Sequence, residues 1–235
     1  MNFMIKRNGV EKLIIASSYM AQAGILIILL CVLIAASSYV GRQNEAYSFL
    51  NHFISELGEI GVSPLALIFN GGLILGGLLT SCFMLGMAIH VGGSWGLGLG
   101  IVGLVTSITV TLVGIYPMNQ LEIHMVTANT FFRGGLLVSL GYSLYILCSR
   151  QPQLPKVTAI TSGITVLAFA LFLWFLPGSQ EGSESVVEIL KNRPEIWALP
   201  ILEWFVFLCV MGWIASTAYF LRKTIKNNQK QSQLN

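Results

Sequence analysis

The chain has 235 residues, 54% of them hydrophobic and 10% charged, with 24 glycines and a formal net charge of +3. Soluble domains carry roughly 25% charged residues and far more polar surface than this chain can supply. That excludes a soluble enzyme, a disordered chain and a nucleic-acid-binding module, and it implies an integral membrane protein.

Crossing a hydrocarbon core of ~30 Å takes about 20 helical residues. Six apolar runs meet that length, near 13–40, 65–91, 95–115, 121–148, 157–177 and 197–221. They predict an all-α fold: a polytopic six-transmembrane-helix bundle in one domain, residues 1–222, followed by a basic polar tail, 223–235, expected to be disordered. The first run exceeds the apolar region of a signal peptide and reads as a retained, tilted helix. Nine Lys and Arg residues lie in the two terminal segments and the fourth-to-fifth connection, against Arg42, Lys191 and Arg193 on the other side. The positive-inside rule then predicts both termini in the cytoplasm, and the expected location is the plasma membrane. Both long connections, 41–64 and 178–196, fall on the outer side, so a site assembled from loops must be external.

Packing is legible in the third run. Gly96, Gly100, Gly103, Ser107, Thr111 and Gly114 recur every three to four residues and form one stripe of small side chains. Such stripes let backbones approach closely where lipid removes the hydrophobic drive. Gly72 and Gly76 repeat the device in the second run. Cys31, Cys82, Cys148 and Cys209 stand singly in apolar runs without ligand spacing and read as inert buried thiols.

Polar side chains at membrane depth are costly, about 2.5–3.5 kcal/mol or more for a charge, and therefore informative. Glu122, Asn129 and Arg133 share one face of the fourth helix, expected to turn into the bundle or a wet cavity. Arg133 lies roughly 18 Å along that helix by its ~1.5 Å rise. Its expected partner is Glu203 in the sixth run, or Glu122 through water. Asn70 lines up with Gly77 and Ser81 in the second run. His124 falls on the side of its helix opposite Glu122. All these groups can equally form a structural polar network that sets helix register.

The first outer connection is the most pointed segment. Tyr47, Leu50, Ile54 and Leu57 recur at helical spacing, with Ser48, His52, Ser55, Glu56 and Glu59 opposite them. An amphipathic helix over 45–57 is predicted, ending at Gly58. It either lies on the membrane surface or caps the bundle with its polar face over Asn70 and His124. The His52–Glu56 spacing suits a histidine oriented by a carboxylate. In the last outer connection, weak periodicity predicts a short helix around 185–191, and Trp197 and Trp204 read as interfacial anchors.

The block His52-x-x-Ser55-Glu56-Leu57-Gly58, then Pro64 and Asn70-Gly71, resembles the multi-pass membrane family called domain of unknown function 998. Gly114-Ile115-Tyr116-Pro117 followed by His124 is similar to its later signature. The resemblance covers roughly residues 20–220 and implies a six-helix bundle with no established activity. Family members often carry an acidic–basic pair in the last outer loop, where this chain reads Gly182-Ser183-Glu184-Ser185.

Three functions fit these features. One is a binder of a lipid or other amphiphile in an outer-leaflet pocket that uses Asn70, Glu122, Asn129, Arg133 and Glu203. Another is a membrane-embedded hydrolase or lipid-modifying enzyme with His52, Ser55, Glu56 and His124 as catalytic residues. A His52/His124/Glu56 metal site would give such an enzyme three ligands and an open position; the sequence specifies no cofactor. A third is a transporter, although no internal repeat or full-depth polar stripe supports it. Membrane lipids are the expected partners, together with a second copy of the chain or another membrane protein.

Overall fold

In a bilayer every backbone N–H and C=O must be satisfied within the protein, so an isolated apolar run of spanning length can only become a helix. The computed structural model describes residues 2–176, 190 and 192–234. It contains α1 Asn2–Ser37, α2 Ala66–Val91, α3 Gly93–Ile115, α4 Leu121–Cys148, α5 Val157–Phe175 and α6 Ala198–Leu234. All six are long and apolar enough to cross a membrane. The protein is thus an all-α, six-helix integral membrane bundle. The 223–235 segment departs from expectation, because α6 continues through it to Leu234 instead of ending in a disordered tail. Its Lys and Gln residues are good helix formers, and Gln229 donates to Glu11 of α1 at 2.8 Å. The short helix predicted around 185–191 lies, apart from Leu190, outside the described residues.

Each helix packs against its neighbours in sequence, and α6 packs against α1, so the six close into a ring. The two halves of the ring are built differently. Between α1, α2 and α3 the contacts run through the small residues. A β-carbon on Gly24 would lie 3.1 Å from the Gly76 carbonyl oxygen, and one on Gly77 2.7 Å from the Thr111 amide nitrogen. Around α4, α5 and α6 the filling is aromatic: Phe132 stacks on Phe172 at 3.9 Å, Phe131 and Phe169 meet edge to face, and Tyr142 packs on Trp213. Buried hydroxyls mostly return to their own helix, as Thr80 to the Gly76 carbonyl and Ser139 to the Gly135 carbonyl. A few tie helices together. Ser81 donates to Ser107 at 2.9 Å, and Ser162 to the Ser139 carbonyl at 2.6 Å.

The 45–57 segment is not the continuous helix that its spacing suggests. A single turn closes at His52, whose N–H reaches the Ser48 carbonyl at 2.8 Å. Phe53 is then extended (φ −66°, ψ 148°), and a 3-10 turn covers Ile54–Gly58. The helix is interrupted because two of its amides are claimed by side chains: Phe53 N–H donates to Glu56 at 2.8 Å and Ile54 N–H to Glu203 at 2.7 Å. The segment caps one end of the ring with residues of both predicted faces buried, His52, Glu56 and Glu59 as well as Ile54 and Leu57, while Phe49 and Leu50 are exposed.

The glycine contacts are directly testable. Gly77→Ala drives a methyl into the α3 backbone and should cost about 1–3 kcal/mol, by the usual penalty for overpacking. Gly71→Ala, where a β-carbon meets nothing within 4 Å, should leave thermal unfolding in detergent unchanged or slightly raised.

Candidate functional site

The cap is held by bonds to parts of the chain remote in sequence. Arg193, just before α6, grips Glu56 in a two-pronged pair, Nη1 to Oε1 at 3.1 Å and Nη2 to Oε2 at 2.8 Å. The same guanidinium reaches the Asn51 carbonyl at 3.2 Å. Asn51 in turn donates to the Pro194 carbonyl at 3.1 Å, and Trp197 N–H to the Leu50 carbonyl at 2.9 Å. Glu56 is only 3% exposed, so Arg193 supplies the cation that a buried carboxylate requires. That hydrogen-bonded pairing outweighs burial and raises the guanidinium above its ordinary value. On the other flank Arg42 pairs with Glu59, and Asn119 exchanges two hydrogen bonds with the Ile60 backbone at 2.7 and 2.8 Å.

His52 sits inside the cap between Tyr39 and Tyr47, at ring distances of 5.4 and 5.2 Å. Its Nδ1 lies 2.8 Å from Asn51 Oδ1, 3.2 Å from the Ser48 carbonyl and 3.3 Å from the Ser48 amide nitrogen. Nε2 is buried without a hydrogen-bond partner among the described residues, 3.7 Å from Glu45 Oε1. Burial holds the imidazole below the usual histidine range, against the upward pull of Glu56. Tyr47 links the cap to α6, accepting from Trp204 Nε1 at 3.1 Å while its hydroxyl donates to the Phe53 carbonyl at 3.1 Å. Trp204 is therefore part of the cap's support and not a lone interfacial anchor.

Beneath the cap, inside the ring, lies a cavity of about 140 Å³. Its walls are almost wholly apolar, with Phe69, Met84, Val110, Phe132 and Met211 among them. Three polar side chains enter at the capped end: Ser55, His124 and Glu203. His124 Nδ1 donates to the Tyr116 carbonyl at 2.8 Å, which leaves Nε2 as an acceptor. Glu203 Oε2 is occupied by the Ile54 amide, leaving Oε1. Ser55 Oγ contacts only Met118 Sδ, at 3.4 Å, among the described residues. Thr80, Thr106 and Ser107 also line the wall, but their hydroxyl protons go to carbonyls of their own helices.

The residues singled out from sequence separate into three places. His52 and Glu56 are in the cap, and Asn70 braces it from α2 by donating to the Gly58 carbonyl at 2.9 Å. Ser55, His124 and Glu203 are at the cavity. Glu122 and Arg133 are exposed on the outside of the ring, and half-buried Asn129 shares their stripe, so the expectation of an inward-facing stripe is corrected. The expected Arg133–Glu203 pair does not form, because Glu203 is on the inner side of α6, bonded to the cap. The cause lies on α4 itself: Ala128, Phe131, Phe132 and Gly135 occupy its inner face against the cavity and α5, which leaves the polar stripe pointing away. Among the described residues no three His, Cys, Asp or Glu side chains gather as metal ligands. His52 and Glu56 are linked through Asn51 and Arg193, His124 is bonded apart from them to the Tyr116 carbonyl, and among the described residues no histidine is hydrogen-bonded to Ser55.

Arg193, Asn119 and Tyr47 are the structural partners that sequence reasoning missed. Arg193 had one available signal, as a cation in the outer connection nearest an otherwise unmatched Glu56. Residues 22–220 match the family model described as Protein of unknown function (DUF998). No curated protein and no solved structure is significantly similar to the chain.

Two outcomes are expected from the cap. Arg193→Ala strands the Glu56 charge and should lower stability by about 3–5 kcal/mol, while Arg193→Ala with Glu56→Gln recovers much of that loss in thermal unfolding. His52 stays neutral in the fold, so the unfolded chain takes up its proton first. Stability should therefore fall as pH drops below about 6.5 and level off below the depressed native value. His52→Gln should flatten that part of the profile.

Proposed function

The chain belongs to the DUF998 family, whose description assigns no activity, and from the cavity under its cap we propose that it binds a small amphiphile with a hydrogen-bond-donating head. The observation that carries this reading is the polarity of the cavity: apolar along its length apart from three hydroxyls bonded to their own helices, with its other polar side chains gathered at the capped end. Ligand pockets characteristically combine apolar walls with a few convergent polar groups. Here His124 Nε2 offers an acceptor and, among the described residues, no Lys or Arg lines the cavity, so an alcohol or an amine matches the capped end and a carboxylate, left without a cation, does not.

Size narrows the class further. A cavity near 150 Å³ is enough for benzene, and 140 Å³ accommodates a ring or a short chain segment without moving a helix. Met84 and Met211 in the wall can shift to admit a longer chain. The Lys and Arg asymmetry supports an orientation with both termini in the cytoplasm and the capped end at the outer leaflet of the plasma membrane, and in this reading the ligand comes from that side. Asn70, Glu56 and His52 act in this reading by holding the cap in place. The catalytic alternative lacks support from geometry, because among the described residues no nucleophile–base pair or metal ligand set is assembled.

Benzyl alcohol, benzylamine and benzoate test the proposal at the right size. The first two should raise the melting temperature of the purified protein, and benzoate should not. Ala128→Leu, which fills the cavity from α4, should abolish both shifts while leaving the protein folded. Equal shifts with benzoate, or shifts that survive in Ala128→Leu, would overturn it.

A further inference from the structure

At the end of the ring opposite the cap, α1 and α6 meet in an antiparallel seam. Arg222 Nη1 donates to the Ser18 carbonyl at 3.1 Å, about two turns along the seam from the Gln229–Glu11 bond. Arg222 is 9% exposed, and its guanidinium carbon lies 4.4 Å over the ring of Tyr19. Lys226, one turn on, donates to the Tyr19 hydroxyl at 3.4 Å. Among the described residues no carboxylate pairs with Arg222 or Lys226. A guanidinium has five N–H donors, and one bond to a carbonyl leaves most of them unused. The Tyr19 hydroxyl, accepting from Lys226, keeps its own proton to give.

We infer that this seam binds an anionic phospholipid, its phosphate held by Arg222, Lys226 and the Tyr19 hydroxyl and an acyl chain lying along α1 and α6. Depth supports a headgroup at this level. Gly86 of α2 packs on Ser17, so Tyr19 lies within about 10 Å of the α2 terminus by the helix rise of ~1.5 Å per residue. The surface above it is the other half of the match. Leu26, Leu30 and Leu33 follow Tyr19 on one face of α1, seven, eleven and fourteen residues on, and all are exposed. Leu208 lies on the Lys226 face of α6, and at Gly212 between them a β-carbon would meet nothing within 4 Å. Lys12, on the Tyr19 face of α1, adds a cation nearer the water. Basic pockets between transmembrane helices are a recognised way of holding lipid phosphates. This site is independent of the cavity reading, being at the other end of the ring.

The test uses the full chain in mixed micelles and native mass spectrometry to count retained dioleoyl-phosphatidylglycerol and dioleoyl-phosphatidylcholine. Wild type should retain one phosphatidylglycerol in clear preference. Lys226→Gln and Tyr19→Leu, both at exposed positions, should each cut that preference by about fivefold, the worth of one surface charge or its equivalent. Lys156→Gln, a cation at the same end but off the seam, should leave it unchanged, as should Ala128→Leu. Inorganic phosphate should not displace the lipid. The inference is overturned if the two lipids are retained equally, if Lys156→Gln matters as much as Lys226→Gln, or if inorganic phosphate competes at millimolar level.

Discussion

A ring of six helices with none on its axis leaves its centre to side chains, and the rest of this structure follows from how that space is closed. Large aromatic residues of α4, α5 and α6 fill one half, and close backbone approach through small residues narrows the other. Neither reaches the whole length, so an apolar space remains under one end. That end cannot be left open to water without wetting Phe69, Phe132 and their neighbours, and the 41–64 segment closes it. Closing it brings polar backbone and carboxylates to the rim of an apolar space, where each needs a partner. Arg193, Glu203, Asn70 and Asn119 are those partners.

The helices and the small-residue stripe were legible in the sequence because both depend on local quantities, namely run length and spacing. Gly96, Gly100, Gly103, Ser107, Thr111 and Gly114 are all buried against neighbours, as their register demands. The cap was only half legible. The spacing around His52 and Glu56 marked the segment, but Ile54 and Leu57 of its apolar set are buried together with His52, Glu56 and Glu59 of its polar set, and the helix itself is broken by carboxylates that lie three and 149 residues away. No periodicity carries such information.

The α4 stripe is the more instructive failure. The sequence placed His124 opposite Glu122, and that opposition holds. The direction was inverted because the inward preference of membrane charges competes with packing volume, and Phe131, Phe132 and Gly135 on α4 fit Phe169 and Phe172 on α5 too well to be turned outward. Arg133 consequently stands on the outer surface of the bundle. Its long apolar stem lets the charge reach toward polar surroundings.

Because Glu56 and Arg193 are separated by 137 residues, the cap also imposes an order of assembly. At a synthesis rate of 5–20 residues per second, roughly 7–27 s pass between the appearance of the carboxylate and that of its cation. During that interval α1 to α5 can be in the bilayer while the first long connection has neither Arg193 nor the α6 side chains Glu203 and Trp204 to bind. The ring is closed by α6, and the same helix delivers the groups that lock the cap. Sealing of the cavity is therefore a late event in biogenesis, coincident with completion of the last span.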